Sequence, residues 1–406
     1  MFVKLAWSFV TNKKSLKALV LFFLLCVKIN AQSLSFDQGS IKEKEYYEEI
    51  DIEVVHHKII IPVTINNKVC KFLLDTGAPN LITSRLAKEI NPENIKKIPI
   101  SDANNQVDTM NMVSIKSIKL NNLNFENNAV LVTDLEEHFI LKCYKIDGFI
   151  GSNLFKNSIL KVSLKNKKIT VTDNIRKLNV KSKGTKLTLL GQQKSPFIEI
   201  ILTGENGEKG YEHALIDTGM DGFYEMSNRA YSTFSKEKIV SERYKSFGTS
   251  NIGLFGAPPP KAQILLSAKS LRINQTDFEN LITTTMDDDN SRLGLDLLEY
   301  GDIIIDFKNK KFYLESTPTV LLDTVFPVYS PTLINQKFVI GHVWDKAYED
   351  QLHFGDEIIR VGDFILSEMD FCDILELKNF RNNKTPYELE IRTKDNQTTT
   401  IKIDIR

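Results

Sequence analysis

The apolar stretches of this chain read as short strands joined by tight, polar turns. Lys58–Ile65 predicts a strand, Asn66-Asn67 a hairpin turn, and Val69–Leu74 the returning strand, which runs straight into Asp75. Ser84–Ile90 predicts a short helix. Farther on, the apolar-glycine block Gly148-Phe149-Ile150-Gly151 leads to a strand at Ile159–Leu164, a Lys165-Asn166-Lys167-Lys168 turn and a strand at Ile169–Val171. After a basic linker, Lys177 to Lys186, the same plan restarts. Phe197–Leu202 predicts a strand, Gly204 to Gly210 a turn, and the next strand runs into Asp217. A second block, Leu293-Gly294-Leu295, precedes the strand Ile303–Phe307, the turn Lys308-Asn309-Lys310-Lys311 and the strand Phe312–Leu314.

Both halves carry Asp-Thr-Gly where an apolar strand ends: Leu73-Leu74-Asp75-Thr76-Gly77-Ala78 and Leu215-Ile216-Asp217-Thr218-Gly219-Met220. Asp75 and Asp217 are 142 positions apart, Gly151 and Gly294 are 143, and the two Lys-Asn-Lys-Lys turns are 143. Three landmarks in register to within one residue mark an internal duplication. From Phe326 the repeat is over. A strand at Phe338–Val343, the stretch from Ala347 to Gly362, a helical pattern from Asp370 to Asn379 and two closing strands predict a small third domain.

Length and composition narrow the class. The chain has 406 residues, too many for one ordinary core, and its 42% hydrophobic and 26% charged content is that of globular protein. Net charge is zero, but the first 31 residues hold five lysines and no acid, leaving 47 basic against 52 acidic side chains. That balance argues against a nucleic-acid partner. Lys13, Lys14 and Lys17 ahead of the apolar run Ala18–Val27, then Ile29-Asn30-Ala31, predict an export signal cut after Ala31, with a retained N-terminal anchor as the alternative. The mature chain is expected to be exported, periplasmic or secreted, and to meet a membrane only through such an anchor. Residues 32–50 are polar and read as an exposed leader. Without the signal, Cys70, Cys143 and Cys372 remain. The odd count and absence of Cys-x-x-Cys predict buried free thiols, with a Cys70–Cys143 bridge as the alternative. The six histidines have no metal-ligand spacing.

The chemistry resides in the two aspartates. A pseudo-twofold axis would bring both carboxylates together, where like charges cannot both ionise cheaply, so the pair would share one proton and titrate as a unit. Thr76 and Thr218 would hydrogen-bond across the axis to fix the turns, and Gly77 and Gly219 would let backbone amides approach the carboxylates. With the apolar-glycine blocks, these motifs resemble the aspartic peptidases of the pepsin and retropepsin type, over about residues 51–317. The resemblance implies an all-β, bilobed fold and an endopeptidase acting on peptide or protein substrates without metal or cofactor. Water held between Asp75 and Asp217 would attack the scissile carbonyl. Ala78 and Met220 stand where pepsin-like chains carry Ser or Thr, and Ala78 is similar to the retropepsin pattern. The missing hydroxyls should raise the pair's apparent pKa values and shift activity toward neutral pH. Arg292 stands where the first half has the apolar Phe149, a departure from the family pattern.

Ser101–Thr109 is the position-equivalent flap loop in the first half, and Phe247–Gly256, with Phe247, Gly248, Gly253 and Phe255, is the candidate flap in the second. The tail resembles a PDZ domain of the bacterial periplasmic-protease type, an α+β unit. Its strand at Phe338, Val339 and Ile340 is the candidate groove for a peptide ligand added as an extra strand. The expected organisation is therefore a signal at 1–31, a leader at 32–50, lobes at 51–180 and 181–320, and the PDZ-like domain at 325–406. The competing reading is a peptide-binding protein whose protease-like fold no longer cleaves. A weaker third reading has residues 32–50 holding a zymogen inactive.

Overall fold

Asn66 and Asn67 both take positive φ, 49° and 62°, and this two-residue turn sets the register of a hairpin in which Ile65 faces Lys68 and Ile60 faces Leu73. The computed structural model describes residues 34–249, 252–322, 325–375 and 385–404; the predicted export signal lies outside them. Phe36–Arg406 is one unit. Its elements are mostly strands, and its helices are short, such as the seven-residue Ser84–Ile90, which Thr83 caps by accepting from the Leu86 N–H at 3.1 Å.

In the first lobe the strand Lys68–Asp75 lies between Lys58–Ile65, antiparallel, and Gly148–Gly151, parallel, with Gly151 beside Asp75. In the second lobe Lys209–Ile216 lies antiparallel to Ser195–Thr203 and parallel to Arg292–Leu293. Beneath both, a six-stranded platform runs in the order Thr185–Leu190, Lys311–Glu315, Asp302–Asp306, Ile159–Ser163, Lys168–Thr172, Tyr47–Asp51. Its central pair joins a strand to its own repeat. Lys161 faces Ile304, 143 positions on, so the pseudo-twofold axis passes through that pair. Phe155 and Phe307, both buried, stack at 6.3 Å above it and tie the lobes into one apolar core.

The leader expectation is corrected here. Tyr47–Asp51 pairs with Lys168–Thr172 along its whole length, and Ser40–Ile41 pairs with Leu123–Thr133. The composition is polar because Tyr47–Asp51 is an edge strand with one face in solvent; Ile50 is buried, and the buried Tyr46 hydroxyl meets Ser158 Oγ at 2.8 Å.

The C-terminal unit is a sheet in the order Tyr329–Ile334, Lys337–Val343, Glu357–Val361, Tyr387–Arg392, Thr398–Ile403, with its own core around Ile340, Leu352, Leu389 and Ile391. It is fastened to both lobes. Cys143 of lobe one is bridged to Cys372, and Phe371 packs edge-on against Phe139 at 6.2 Å while also touching Phe338 at 6.0 Å. On the lobe-two side, Gly248 and Gly341 approach so closely that a Cβ on Gly248 would strike Gly341 O and one on Gly341 would strike Thr249 O, and Ser246 Oγ accepts from the Val343 N–H at 3.0 Å. The cysteine expectation is thereby corrected. Cys70 is free and buried, and Cys143 pairs with a residue 229 positions away that only the docked C-terminal unit brings near.

Candidate active site

Each aspartate is carried to the axis by a strand wedged between two others, so little of its position is left to a loop. The Ala78 N–H donates to Asp75 O at 3.3 Å and the Met220 N–H to Asp217 O at 3.2 Å, closing both turns. Thr76 and Thr218 then bond reciprocally across the axis. Thr76 N–H donates to Thr218 Oγ1 at 3.0 Å and Thr218 N–H to Thr76 Oγ1 at 3.1 Å. The hydroxyls in turn donate to Ile216 O at 2.6 Å and Leu74 O at 2.9 Å, each in the opposite lobe. Gly77 and Gly219 donate N–H bonds of 2.9 and 3.0 Å to Asp75 Oδ1 and Asp217 Oδ1. Neither glycine has a left-handed φ; what requires glycine is space, because a Cβ on Gly77 would collide with the Asp217 carboxylate and one on Gly219 with Asp75.

The two carboxylates are treated differently by their surroundings. Arg292 Nη1 donates to Asp217 Oδ2 at 2.5 Å, while its Nη2 is held by Asp288, four residues before it. Burial works against the Arg292 charge, but the two carboxylates outweigh it and raise its pKa. Asp75 has only the N–H groups of Gly77 and Ala78, the latter at 3.1 Å. Burial, and then the negative charge of Asp217, push its carboxyl from the ordinary 3.8 up to about 7, against opposing pulls from Lys58, the Gly77 N–H and Arg292. Lys58 reaches from lobe one into lobe two, donating to Gly219 O at 2.6 Å and Asp221 Oδ1 at 2.7 Å. Burial lowers the Lys58 ammonium, yet Asp221 leads the contributions that leave it raised on balance.

Neither Arg292 nor Lys58 was singled out for chemistry from the sequence. Arg292 does occupy the strand position of Phe149, facing Leu215 as Phe149 faces Leu73, and an arginine in an apolar slot beside an Asp-Thr-Gly strand was the available signal. It supplies Asp217 with the donor that Met220 cannot.

A cavity of about 940 Å³ surrounds the dyad. Its lobe-one cover is the turn Asp102–Gln106 between the strands Glu93–Ser101 and Val107–Leu120. This turn is bonded to lobe two: Asp102 Oδ2 accepts from the Phe255 N–H at 3.1 Å, and Asn105 Nδ2 donates to Asp287 O at 2.9 Å. His138 Nε2 lies 3.1 Å from Gly253 O. Of the candidate flap residues in lobe two, Gly253 lines the cavity, whereas Phe247 is 65% exposed and does not line it. Gly248 serves the Gly341 contact, and Phe255 contributes its backbone. Ser250 and Asn251 lie outside the described residues.

The candidate peptide groove is also corrected. The strand bearing Phe338, Val339 and Ile340 is paired on one side with Tyr329–Ile334 and on the other with Glu357–Val361, so it has no free edge to accept a further strand. Phe338 faces the dyad cavity instead, while Val339 and Ile340 are buried. None of residues 36–50 lines that cavity, and Phe36 lies in a neighbouring hollow with Gln193, Ser195, Phe197 and Asn290, which do. Among the described residues no three His, Cys, Asp or Glu side chains are grouped as metal ligands.

Residues 61–154, which hold the first Asp-Thr-Gly and its glycine block, match the family model for aspartyl protease. That match covers about a quarter of the chain, all of it in the first lobe. Among solved structures the chain is similar to a retropepsin-like aspartic protease from Rickettsia conorii, at 17% identity over 33% of this chain and 94% of that one, with a TM-score of 0.23. It is also similar to an aspartic proteinase from Irpex lacteus, at 13% identity over 67% of this chain and 98% of that one, with a TM-score of 0.40. No curated protein matches the chain.

Proposed function

We propose that this chain is an aspartic endopeptidase in which Asp75 carries the shared proton and Asp217 is the charged partner. The observation that carries the reading is the pair of reciprocally locked Asp-Thr-Gly turns, each with a glycine whose missing side chain makes room for the other turn's carboxylate. A binding protein has no need of that arrangement. Water between the carboxylates gives a proton to Asp217 as its oxygen bonds to the scissile carbon, and Asp75 protonates the carbonyl oxygen. The C–N bond then breaks as Asp217 returns its proton to the leaving amine. One proton of the diol passes back to Asp75 as the new carboxyl forms, which restores the starting state.

The Cys143–Cys372 bridge supports the exported location that the N-terminal signal pattern predicts, since such bridges persist in oxidising compartments. The test is digestion of a diverse peptide mixture by residues 32–406 from acidic to neutral pH, beside Asp75→Asn and Asp217→Asn. Cleavage lost in both variants supports the enzyme. A wild type that cuts nothing at any pH gives the field to the peptide-binding reading.

A further inference from the structure

The dyad cavity has a wall that neither lobe supplies. Leu333 and Phe338 from the first hairpin of the C-terminal unit, and Ile374 and Leu375 from its helical turn, line the same cavity as Asp75 and Asp217. They lie next to the lobe-one segment that bears Ile140 and Leu141, because Phe139, Phe371 and Phe338 pack in series and Cys143 is bonded to Cys372. Around the carboxylates the cavity carries fixed charges, Lys58 on Asp221 and Arg292 on Asp288, among lobe-two residues that include the apolar Leu215, Met220 and Leu254. A peptide crossing the dyad therefore meets the apolar side chains of the C-terminal unit as well as those of the lobes.

We infer that the C-terminal unit is a wall of the substrate cleft: Leu333, Phe338, Ile374 and Leu375, with Ile140 and Leu141, form a subsite for one bulky apolar side chain of the peptide, held in place by the Cys143–Cys372 bridge. This rests on the endopeptidase reading of the same cavity. The occupant is the substrate's own side chain, because these apolar residues line the same cavity as the two carboxylates. The bridge matters because it holds the unit to lobe one beside the Phe139–Phe371 packing, whereas the contact at Gly248 and Gly341 is on the opposite lobe. Cutting the bridge loosens the apolar wall from Ile140 and Leu141 while leaving the dyad's own hydrogen bonds intact.

The test uses the full mature chain and peptides that differ at one position, Phe, Leu or Ala, scanned along the positions flanking the cleaved bond. Wild type is expected to prefer Phe or Leu over Ala at one position. Leu333→Ala and the half-buried Leu375→Ala should each cut that kcat/KM ratio by about tenfold, the scale of a lost apolar contact in a specificity pocket. Leu333→Trp should turn the preference toward Ala. The Cys143→Ser/Cys372→Ser chain, or wild type whose bridge a dithiol has reduced to two thiols, should lose the same ratio. A ratio unchanged in all of these overturns the inference while leaving the endopeptidase reading standing. Binding of labelled Phe and Ala peptides to Asp75→Asn protein, read by fluorescence anisotropy, separates the opposite case. Discrimination that Leu375→Ala abolishes upholds the subsite even if nothing is cleaved, and equal binding of both peptides overturns it.

Discussion

Replacing Arg292 with methionine keeps most of the side-chain volume and removes the only guanidinium on the dyad. The side chains of Arg292, Asp217 and Asp288 are 14%, 5% and 10% exposed, so this is a buried ion triad and not a surface pair worth at most about 1 kcal/mol. Removing one member of such a cluster strands the others, at a cost of about 3–5 kcal/mol. Urea unfolding at pH 7 should show that loss, and the added change Asp288→Leu should return part of it. The catalytic effect has a defined sign. Arg292 is one of the groups that pull the Asp75 carboxyl down, so without it Asp75 should hold its proton to still higher pH. The descending limb of kcat/KM against pH, expected near 7 in wild type, should move to higher pH. Arg292→Lys, which keeps the charge, should leave the limb close to wild type. If the limb stays in place in Arg292→Met and stability changes by less than about 1 kcal/mol, the guanidinium does not polarise the pair and the argument fails.

The raised Asp75 also makes stability depend on pH. Because its folded value lies above its unfolded one, its contribution is fully present below about pH 4 and fades as pH rises through about 7. Asp75→Asn cannot ionise, so its stability relative to wild type should improve between pH 4 and 8 by on the order of 4 kcal/mol; parallel curves in chemical denaturation would contradict this. Gly219→Ala places a methyl against the Asp75 carboxylate and should lower peptide cleavage by about a hundredfold or more; an active variant would show that the turns do not approach as described. Thr218→Val removes the acceptor of the Thr76 N–H and the donor to Leu74 O inside a dry site, so urea unfolding should report a loss of about 2–4 kcal/mol.

Much of the site was legible because the duplication writes it twice. Asp75 and Asp217 follow apolar strands at matching offsets, and a strand that pairs with its own repeat at Lys161 and Ile304 is what such a duplication requires if its halves share an axis. The Asn66-Asn67 turn was legible too, since both residues take the positive φ that asparagine tolerates; the Lys-Asn-Lys-Lys turns were legible from their repetition, for the positive φ there falls on Lys167 and Lys310, at 50° and 55°. What escaped depends on long-range docking. Arg292 looks like a blemish in an apolar strand until folding places Asp217 beside it. Tyr47–Asp51 looks like a leader because an edge strand with one wet face needs only a few apolar residues. Cys143–Cys372 and the apolar wall depend on where the C-terminal unit sits against the lobes, which no spacing within either segment encodes.

The most direct test of the central claim is the pH dependence of kcat/KM for one defined peptide, measured in wild type and in Asp75→Asn. A proton carried by Asp75 predicts cleavage that persists toward neutral pH, falls with an apparent pKa near 7, and is absent in Asp75→Asn at every pH. Cleavage confined to strongly acidic pH, or cleavage that survives Asp75→Asn, would contradict it.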